Sequence, residues 1–332
     1  MTYLENLNQS LRELLETTTD VIIFGEDIMD PYGGAFKVTR GLQRDFPQRV
    51  LTTPISEAAL TGLATGMSLR GLRPILEIMF GDFTSLCMDQ ILNHASKFRI
   101  MYNDQVKVPI TIRTPMGGGR GYGPTHSQSI EKLFFGIPDI RVVAPCIFCE
   151  PGRLLTQAVL DDRPVVFVEH KLLYPVELMT ADGPGVHVEN HLDISGYPIS
   201  VVRNYSSGKP DVSLFTYGGM TRFLPSILSR LAQEELKIVA CVPSLIKPLP
   251  TDFMGDIAAA AGRVVIAEEG TGQWGWGAEL SARFQELLFN KLSKPIRRIA
   301  ALQTIIPASK TLELAVLPSA ENIEQALLEM VE

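Results

Sequence analysis

The sequence predicts an α/β fold in two domains, each a parallel sheet covered by helices. Three observations predict it. Short runs of branched apolar residues alternate with longer segments of helical periodicity. The runs lack polar alternation, which is the pattern of strands covered on both faces. The pattern fades between residues 178 and 210, where glycine, proline and polar residues dominate, and then resumes. The first domain is placed at residues 1–185, a linker at 186–210 and the second domain at 211–332.

In order, Leu4 to Glu16 is an amphipathic helix and Val21-Ile22-Ile23-Phe24 a buried strand ending in Gly25-Glu26-Asp27. Pro31-Tyr32-Gly33-Gly34 is a loop, and Val38 to Asp45 a short helix. Leu60, Leu63, Ala64 and Met67 recur at helical spacing after Glu57, and this helix, apolar or small all round, is expected to be buried on all sides. Gly62 and Gly66 would let another backbone come close. Arg73 to Ile78 is a strand, Phe83 to Met101 a long helix, and Val108 to Arg113 a strand running into a glycine-rich loop. Arg141 to Pro145 and Pro164 to Val168 are strands flanking a helix from Glu150 to Leu160. The linker holds at most one short strand. The second domain has strands at Val212–Thr216, Lys237–Cys241, Arg263–Ala267 and Ile296–Ile299. Its helices are Thr221–Glu234, Asp252–Ala261, Gly277–Leu288 and Ala320–Val331.

Composition narrows the function. At 332 residues the chain can build two cores. A net charge of -7 argues against a nucleic-acid partner. No run approaches the roughly 18 apolar residues of a membrane helix, and no signal pattern opens the chain. The four cysteines, Cys87, Cys146, Cys149 and Cys241, read as reduced thiols of a cytoplasmic protein. Cys146-x-x-Cys149 has no second pair to complete a zinc site.

Glu57 is the most informative residue. It is the only charge between Val50 and Arg70, at the mouth of an apolar helix. A lone buried carboxylate is costly without a partner or a task. The loop Gly117-Gly118-Gly119-Arg120-Gly121-Tyr122-Gly123 leads straight to His126, past a strand end, where open sheets place ligands. His126 is either a proton shuttle or a loop histidine that bonds backbone. Phe80 and Phe83 wall a flat ring, or are ordinary core. Gly270 to Gly277, with Trp274 and Trp276, binds an anion at a helix N-terminus or presents a partner surface; the latter is favoured. Asp161-Asp162 is a solvated helix end, or lies by carbonyls that hold a monovalent ion.

Taken together, these segments resemble a known family. They include Phe24-Gly25-Glu26-Asp27, Thr53-Pro54-Ile55-Ser56-Glu57, Leu69-Arg70-Gly71-Leu72-Arg73-Pro74, Asp89-Gln90-Ile91-Leu92-Asn93-His94-Ala95, His126-Ser127-Gln128-Ser129 and Lys247-Pro248-Leu249. Across essentially the whole chain they are similar to the beta subunit of the thiamin-diphosphate-dependent decarboxylase component of 2-oxo acid dehydrogenase complexes. That family serves pyruvate, branched-chain 2-oxo acids and acetoin. Gly123-Pro124-Thr125-His126 is also similar to transketolase.

The resemblance implies a pyrimidine-binding domain followed by a transketolase C-terminal-like domain. It implies decarboxylation of a 2-oxo acid and transfer of the acyl group to a lipoyl domain. Glu57 would hydrogen-bond the aminopyrimidine ring of thiamin diphosphate, Phe83 would pack on that ring with Phe80 beside it, and His126 would serve substrate binding and acyl transfer. Ile110, Ala158 and Asp161 would hold K+, mostly through backbone oxygens; Arg163 stands where the family often has asparagine. No Gly-Asp-Gly occurs, so Mg2+ and the diphosphate would be held by an alpha subunit, in a heterotetramer of two alpha and two beta chains. The Gly62/Gly66 helix would then lie against another subunit, and the second domain would supply the contact between beta chains. Two alternatives remain. One is a split transketolase-like enzyme moving a two-carbon or acyl unit in a biosynthetic pathway. The other is a non-catalytic scaffold, against which Glu57, Phe83 and His126 together argue.

Overall fold

The computed structural model describes residues 1–332. Thirteen strands form two sheets. They are β1 (Val21–Gly25), β2 (Val50–Thr52), β3 (Arg73–Glu77), β4 (Thr111–Met116), β5 (Arg141–Val143), β6 (Val165–His170), β7 (His187–Leu192), β8 (Pro198–Arg203), β9 (Val212–Thr216), β10 (Ile238–Pro243), β11 (Leu245–Lys247), β12 (Val264–Thr271) and β13 (Arg297–Ala301). The helices are α1 (Tyr3–Thr17), α2 (Leu42–Asp45), α3 (Glu57–Leu69), α4 (Phe98–Met101), α5 (Pro151–Leu160), α6 (Leu224–Gln233), α7 (Thr251–Ala261), α8 (Trp276–Leu288), α9 (Lys310–Val316) and α10 (Ala320–Glu329).

The first sheet runs β11-β5-β6-β4-β3-β1-β2 and the second β13-β12-β9-β10-β8-β7. β1 to β6 are all parallel, and β4 and β6 are buried along their whole length, as two covered faces require. The two-domain α/β expectation holds.

Several segments depart from expectation for local reasons. The span 186–210 carries β7 and β8, an antiparallel hairpin that extends the second sheet through β10. β7 is a half-wet edge strand, so it shows no apolar alternation. The expected helix from Phe83 to Met101 is broken into a 3-10 turn (81–87), a π turn (90–95) and α4. The Thr84 and Ser85 hydroxyls donate to the carbonyls three residues back, at 2.6 and 2.9 Å, and tighten the first turn. β4 begins at Thr111 rather than Val108, because Pro109 has no N–H for the ladder. α3 buries only Glu57, Leu60, Thr61, Ala64, Thr65 and Ser68; Leu63 is 54% exposed, and a Cβ on Gly66 would meet nothing. Its outer face is open, against the expectation of burial all round.

β11 ties the domains together. Leaving the second domain, it pairs antiparallel with β5, Leu245 opposite Val143. A second tie lies at the centre of the first sheet. Arg113 of β4 donates from Nε and NH2 to Glu169 of β6, at 2.6 and 2.9 Å, and from NH1 to Glu77 of β3 at 2.7 Å. The Tyr174 hydroxyl adds a bond to Glu169 at 2.7 Å. Arg113 is 2% exposed and Glu169 0%. Burial pushes Glu77 up, against the pull of Arg113.

Glu268, within β12, faces the N-terminus of α8. Gly277 N donates to its Oε1 at 3.0 Å, and a Cβ on Gly275 or Gly277 would press to 2.5 or 2.8 Å from this carboxylate. Burial pushes Glu268 up to about 7.

Arg113→Met should cost about 3–5 kcal/mol, because it strands two buried carboxylates; a urea midpoint equal to wild type would refute this. Glu268 stabilises the fold while protonated, and that contribution is lost as pH rises through about 7. Glu268→Gln should therefore gain thermal midpoint relative to wild type between about pH 5 and about pH 8. A constant difference between the two melting curves would disprove it.

Candidate active site

The site grows from the C-terminal ends of the parallel strands, where the backbone opens into loops. Glu57 is the first residue of α3 and 7% exposed. Its carbonyl accepts from the Thr61 hydroxyl at 2.8 Å and the Cys87 thiol at 3.7 Å, while no protein donor reaches its carboxylate. Glu26, just past β1 and 5% exposed, stands near it. Burial first, then the charge of Glu57, pushes the Glu26 carboxyl up, and its Oε1 has no partner. The Glu57 carboxylate is thus left to a hydrogen-bond donor from outside the chain.

Phe80 follows β3, and Phe83 sits in the tight turn whose Cys87 bonds Glu57. His126 stands edge-on to both rings, with centroids 4.8 Å from Phe80 and 5.2 Å from Phe83. His126 Nδ1 lies 2.9 Å from the Thr125 hydroxyl, which leaves Nε2 for chemistry. Phe80 and Phe83 meet at 6.1 Å, nearly perpendicular. The expected set of Glu57, Phe80, Phe83 and His126 is thus brought to one place.

Other residues there were not singled out from the sequence. Lys171, fully buried, donates from Nζ to the His126 carbonyl and lies 5.3 Å over the Phe80 ring. Burial pushes it down to about 8, against the pull of Asp82, Glu269 and Glu313. Asp82 accepts from Gln128 Nε2 at 2.7 Å, pinning the far side of the His126 loop. The signal was present: Glu169-His170-Lys171 puts three ionisable groups directly after an apolar strand.

Ile110, Ala158 and Asp161 also come together, but their oxygens are engaged. The Ile110 carbonyl accepts from Val165 N at 2.9 Å, and that of Ala158 from the Thr111 hydroxyl at 3.3 Å. Arg73 NH1 donates to the Val159 and Asp161 carbonyls at 2.9 and 3.2 Å. The Asp161 carboxylate lies 2.5 Å from Arg141 Nε and accepts from the Tyr197 hydroxyl at 3.2 Å. Of the three expected residues, only Asp161 has its carbonyl taken by a guanidinium, that of Arg73. The Cys146 and Cys149 sulfurs are 3.6 Å apart, and no group of three or more His, Cys, Asp or Glu side chains could hold a metal. Trp274 is 89% exposed whereas Trp276 is core. No helix is long and apolar enough to cross a membrane.

Comparison with known proteins gives concordant findings. Residues 1–177 match the family model of the transketolase pyrimidine-binding domain, and residues 203–323 that of the transketolase C-terminal domain. The beta subunit of acetoin:2,6-dichlorophenolindophenol oxidoreductase from Cupriavidus necator is 34% identical over 329 residues, 96% of this chain and 94% of that one. The mitochondrial pyruvate dehydrogenase E1 component subunit beta-1 of Arabidopsis thaliana is also 34% identical, covering 98% of this chain and 88% of the relative. The 2-oxoisovalerate dehydrogenase subunit beta of Bacillus subtilis is 30% identical, covering 100% and 99%. A split-gene transketolase, solved as an inactive beta4 tetramer, superposes over 100% of this chain and 98% of its own with a TM-score of 0.73. At 19% identity it bears on the fold alone.

Replacing K+ by choline in the buffer should leave the thermal midpoint of the protein unchanged. A stabilisation specific to K+ would show that Arg73 yields its carbonyls to the ion.

Proposed function

The chain belongs to the beta-subunit family of thiamin-diphosphate-dependent 2-oxo acid dehydrogenases, and on that premise we propose that it forms the pyrimidine-binding half of such an active site. The reaction proposed is decarboxylation of a 2-oxo acid with transfer of the acyl group to lipoyl. The observation that carries this reading is buried Glu57, whose carboxylate accepts no bond from the chain and whose backbone carbonyl is reached by Cys87 of the turn that carries Phe83, the ring that packs 5.2 Å from His126. A scaffold would have no reason to keep an acid there. The relatives at 30–34% identity are named as dehydrogenase or oxidoreductase beta subunits, which favours this reading over a split transketolase.

When bound, thiamin diphosphate supplies a nucleophilic carbon and an electron sink for the loss of CO2. The residues of this chain fit its pyrimidine end. Glu57 would hold a proton at a ring nitrogen, and the adjoining Glu26 carboxyl is pushed up by burial and by the charge of Glu57. Phe83 and Phe80 would wall the ring and exclude water. His126, with Nε2 free, would orient the substrate and move a proton at its oxygen during acyl transfer.

The diphosphate end is proposed to lie on another polypeptide. No Gly-Asp-Gly occurs in the 332 residues, so Mg2+ would be bound by an alpha subunit, in a heterotetramer of two alpha and two beta chains. The surface around Glu57 supports a partner: Ile55, Leu63, Leu86, Ile100 and Met101 are all more than half exposed. A lipoyl transacylase would take the product. The compartment proposed is the cytoplasm, on the four free buried thiols.

Three measurements on the co-expressed alpha–beta complex test this reading. Glu57→Gln should lower kcat for 2-oxo acid-dependent reduction of an artificial acceptor by about 10²–10⁴; near-normal turnover refutes the role. His126→Ala should impair acyl transfer to lipoyl more than acceptor reduction, and an equal loss in both assays contradicts it. The chain alone should bind thiamin diphosphate weakly, so tight binding without the alpha subunit would remove the case for a split site.

A further inference from the structure

The loop that carries His126 is held from the second domain. Five of its residues from 117 to 123 are glycine, and the close neighbours of three of them are side chains beyond residue 300. A Cβ on Gly118 would stand 2.6 Å from Leu317 Cδ1. One on Gly121 would lie 3.3 Å from Lys310 Cβ, and one on Gly123 3.7 Å from Ala308 Cβ. Gly121 and Gly123 also have φ of +74° and +84°, which side chains rarely accept. These glycines therefore answer to domain docking.

The polar contacts follow the same direction. Gly121 N donates to Glu313 Oε2 at 2.6 Å, and Glu313 is 0% exposed. Gly118 N and the Ser129 hydroxyl both donate to Glu269 Oε1, at 2.8 and 3.0 Å. Glu269 is fixed in turn by His170. His170 Nδ1 accepts from Leu172 N, so Nε2 carries the proton that it donates to Glu269 Oε2 at 2.8 Å. Arg222 NH1 lies 3.6 Å from the same oxygen. Main-chain N–H groups of a catalytic loop thus end on two buried carboxylates of another domain. Bonds from N–H to a charged acceptor are the strong kind, and they fix direction as well as distance.

We propose that Glu313 and Glu269 are positioning residues: they clamp the loop 117–129 by its backbone, so that docking of the second domain sets where His126 stands. The proposal deepens the function argued above, since it takes His126 as the group whose place matters. A glutamate on α9 then controls chemistry it never touches.

Two variants and two measurements test it. Glu313→Ala removes the acceptor, while Glu313→Gln keeps an oxygen at the same reach. Hydrogen exchange on the full chain should quicken about tenfold or more in the peptide 117–129 of the alanine variant. Protection in β12 and α10 should stay as in wild type, and the glutamine variant should restore the loop. Unchanged loop exchange overturns the proposal, and so does loss of protection spread across the second domain. In the alpha–beta complex, Glu313→Ala should lower kcat by about 10- to 100-fold with KM unchanged, and Glu313→Gln should recover most of it. A rise in KM at constant kcat, or no recovery by glutamine, counts against positioning. Should the wild-type complex turn over no 2-oxo acid, the function fails, and the exchange result still decides the clamp.

Discussion

Arg113 is the residue on which the architecture turns. Its guanidinium joins the last turns of three neighbouring strands, β3, β4 and β6, in a place water does not reach. Each of those strands leaves the sheet directly into the site: β3 into Phe80 and Phe83, β4 into the glycine loop and His126, β6 into His170 and Lys171. A bidentate fork leaves little freedom in the relative height of the strands it bridges. Small shifts there would be carried outward to every aromatic and ionisable group of the site. Such an arrangement gives up stability to gain register, since apolar residues of the same volume would cost less to bury.

Around that frame the molecule divides its polar groups into two kinds. Those behind the site are mostly satisfied: Glu169 has Arg113 and Tyr174, Glu269 has His170 and two loop donors, and Asp82 holds Gln128 by Oδ1 while its buried Oδ2 stays unpaired. At its mouth the Glu57 carboxylate accepts no bond from the chain, and Glu26 Oε1 is buried with no partner. Native interiors rarely tolerate such atoms. Their place beside an uncovered apolar face makes sense for half of a cleft whose other wall belongs to a second molecule.

The fold was largely legible because its central strands are covered on both faces, and such strands read as unbroken apolar runs. Glu57 was legible as an isolated charge in an uncharged stretch. Other parts were hidden for physical reasons. The breaks after Phe83 come from hydroxyl-to-carbonyl bonds that leave helical periodicity intact. β7 is an edge strand with water on most of its residues. α9 inverts the usual rule: Glu313 is its buried residue, while Leu312 and Leu314 are more than half exposed. No hydropathy pattern could have placed it. The K+ expectation at Ile110, Ala158 and Asp161 came from the resemblance, and the reach of Arg73 into the Asp161 carbonyl depends on packing that spacing does not encode. The glycines of the loop were readable as close approach, but what approaches them is a domain nearly two hundred residues downstream.

β11 has a consequence for how the protein is made. Its three residues close the β5 edge of the first sheet, yet they come from within the second domain, after β10. A ribosome that has made the first domain leaves its sheet with one bare edge, because β11 starts about a hundred residues after β5 ends. Bare edges invite pairing with other nascent chains. The two halves, separable as modules in an alignment, are therefore one unit in biogenesis. Neither could be traded for a homologous copy without matching the strand that one lends the other.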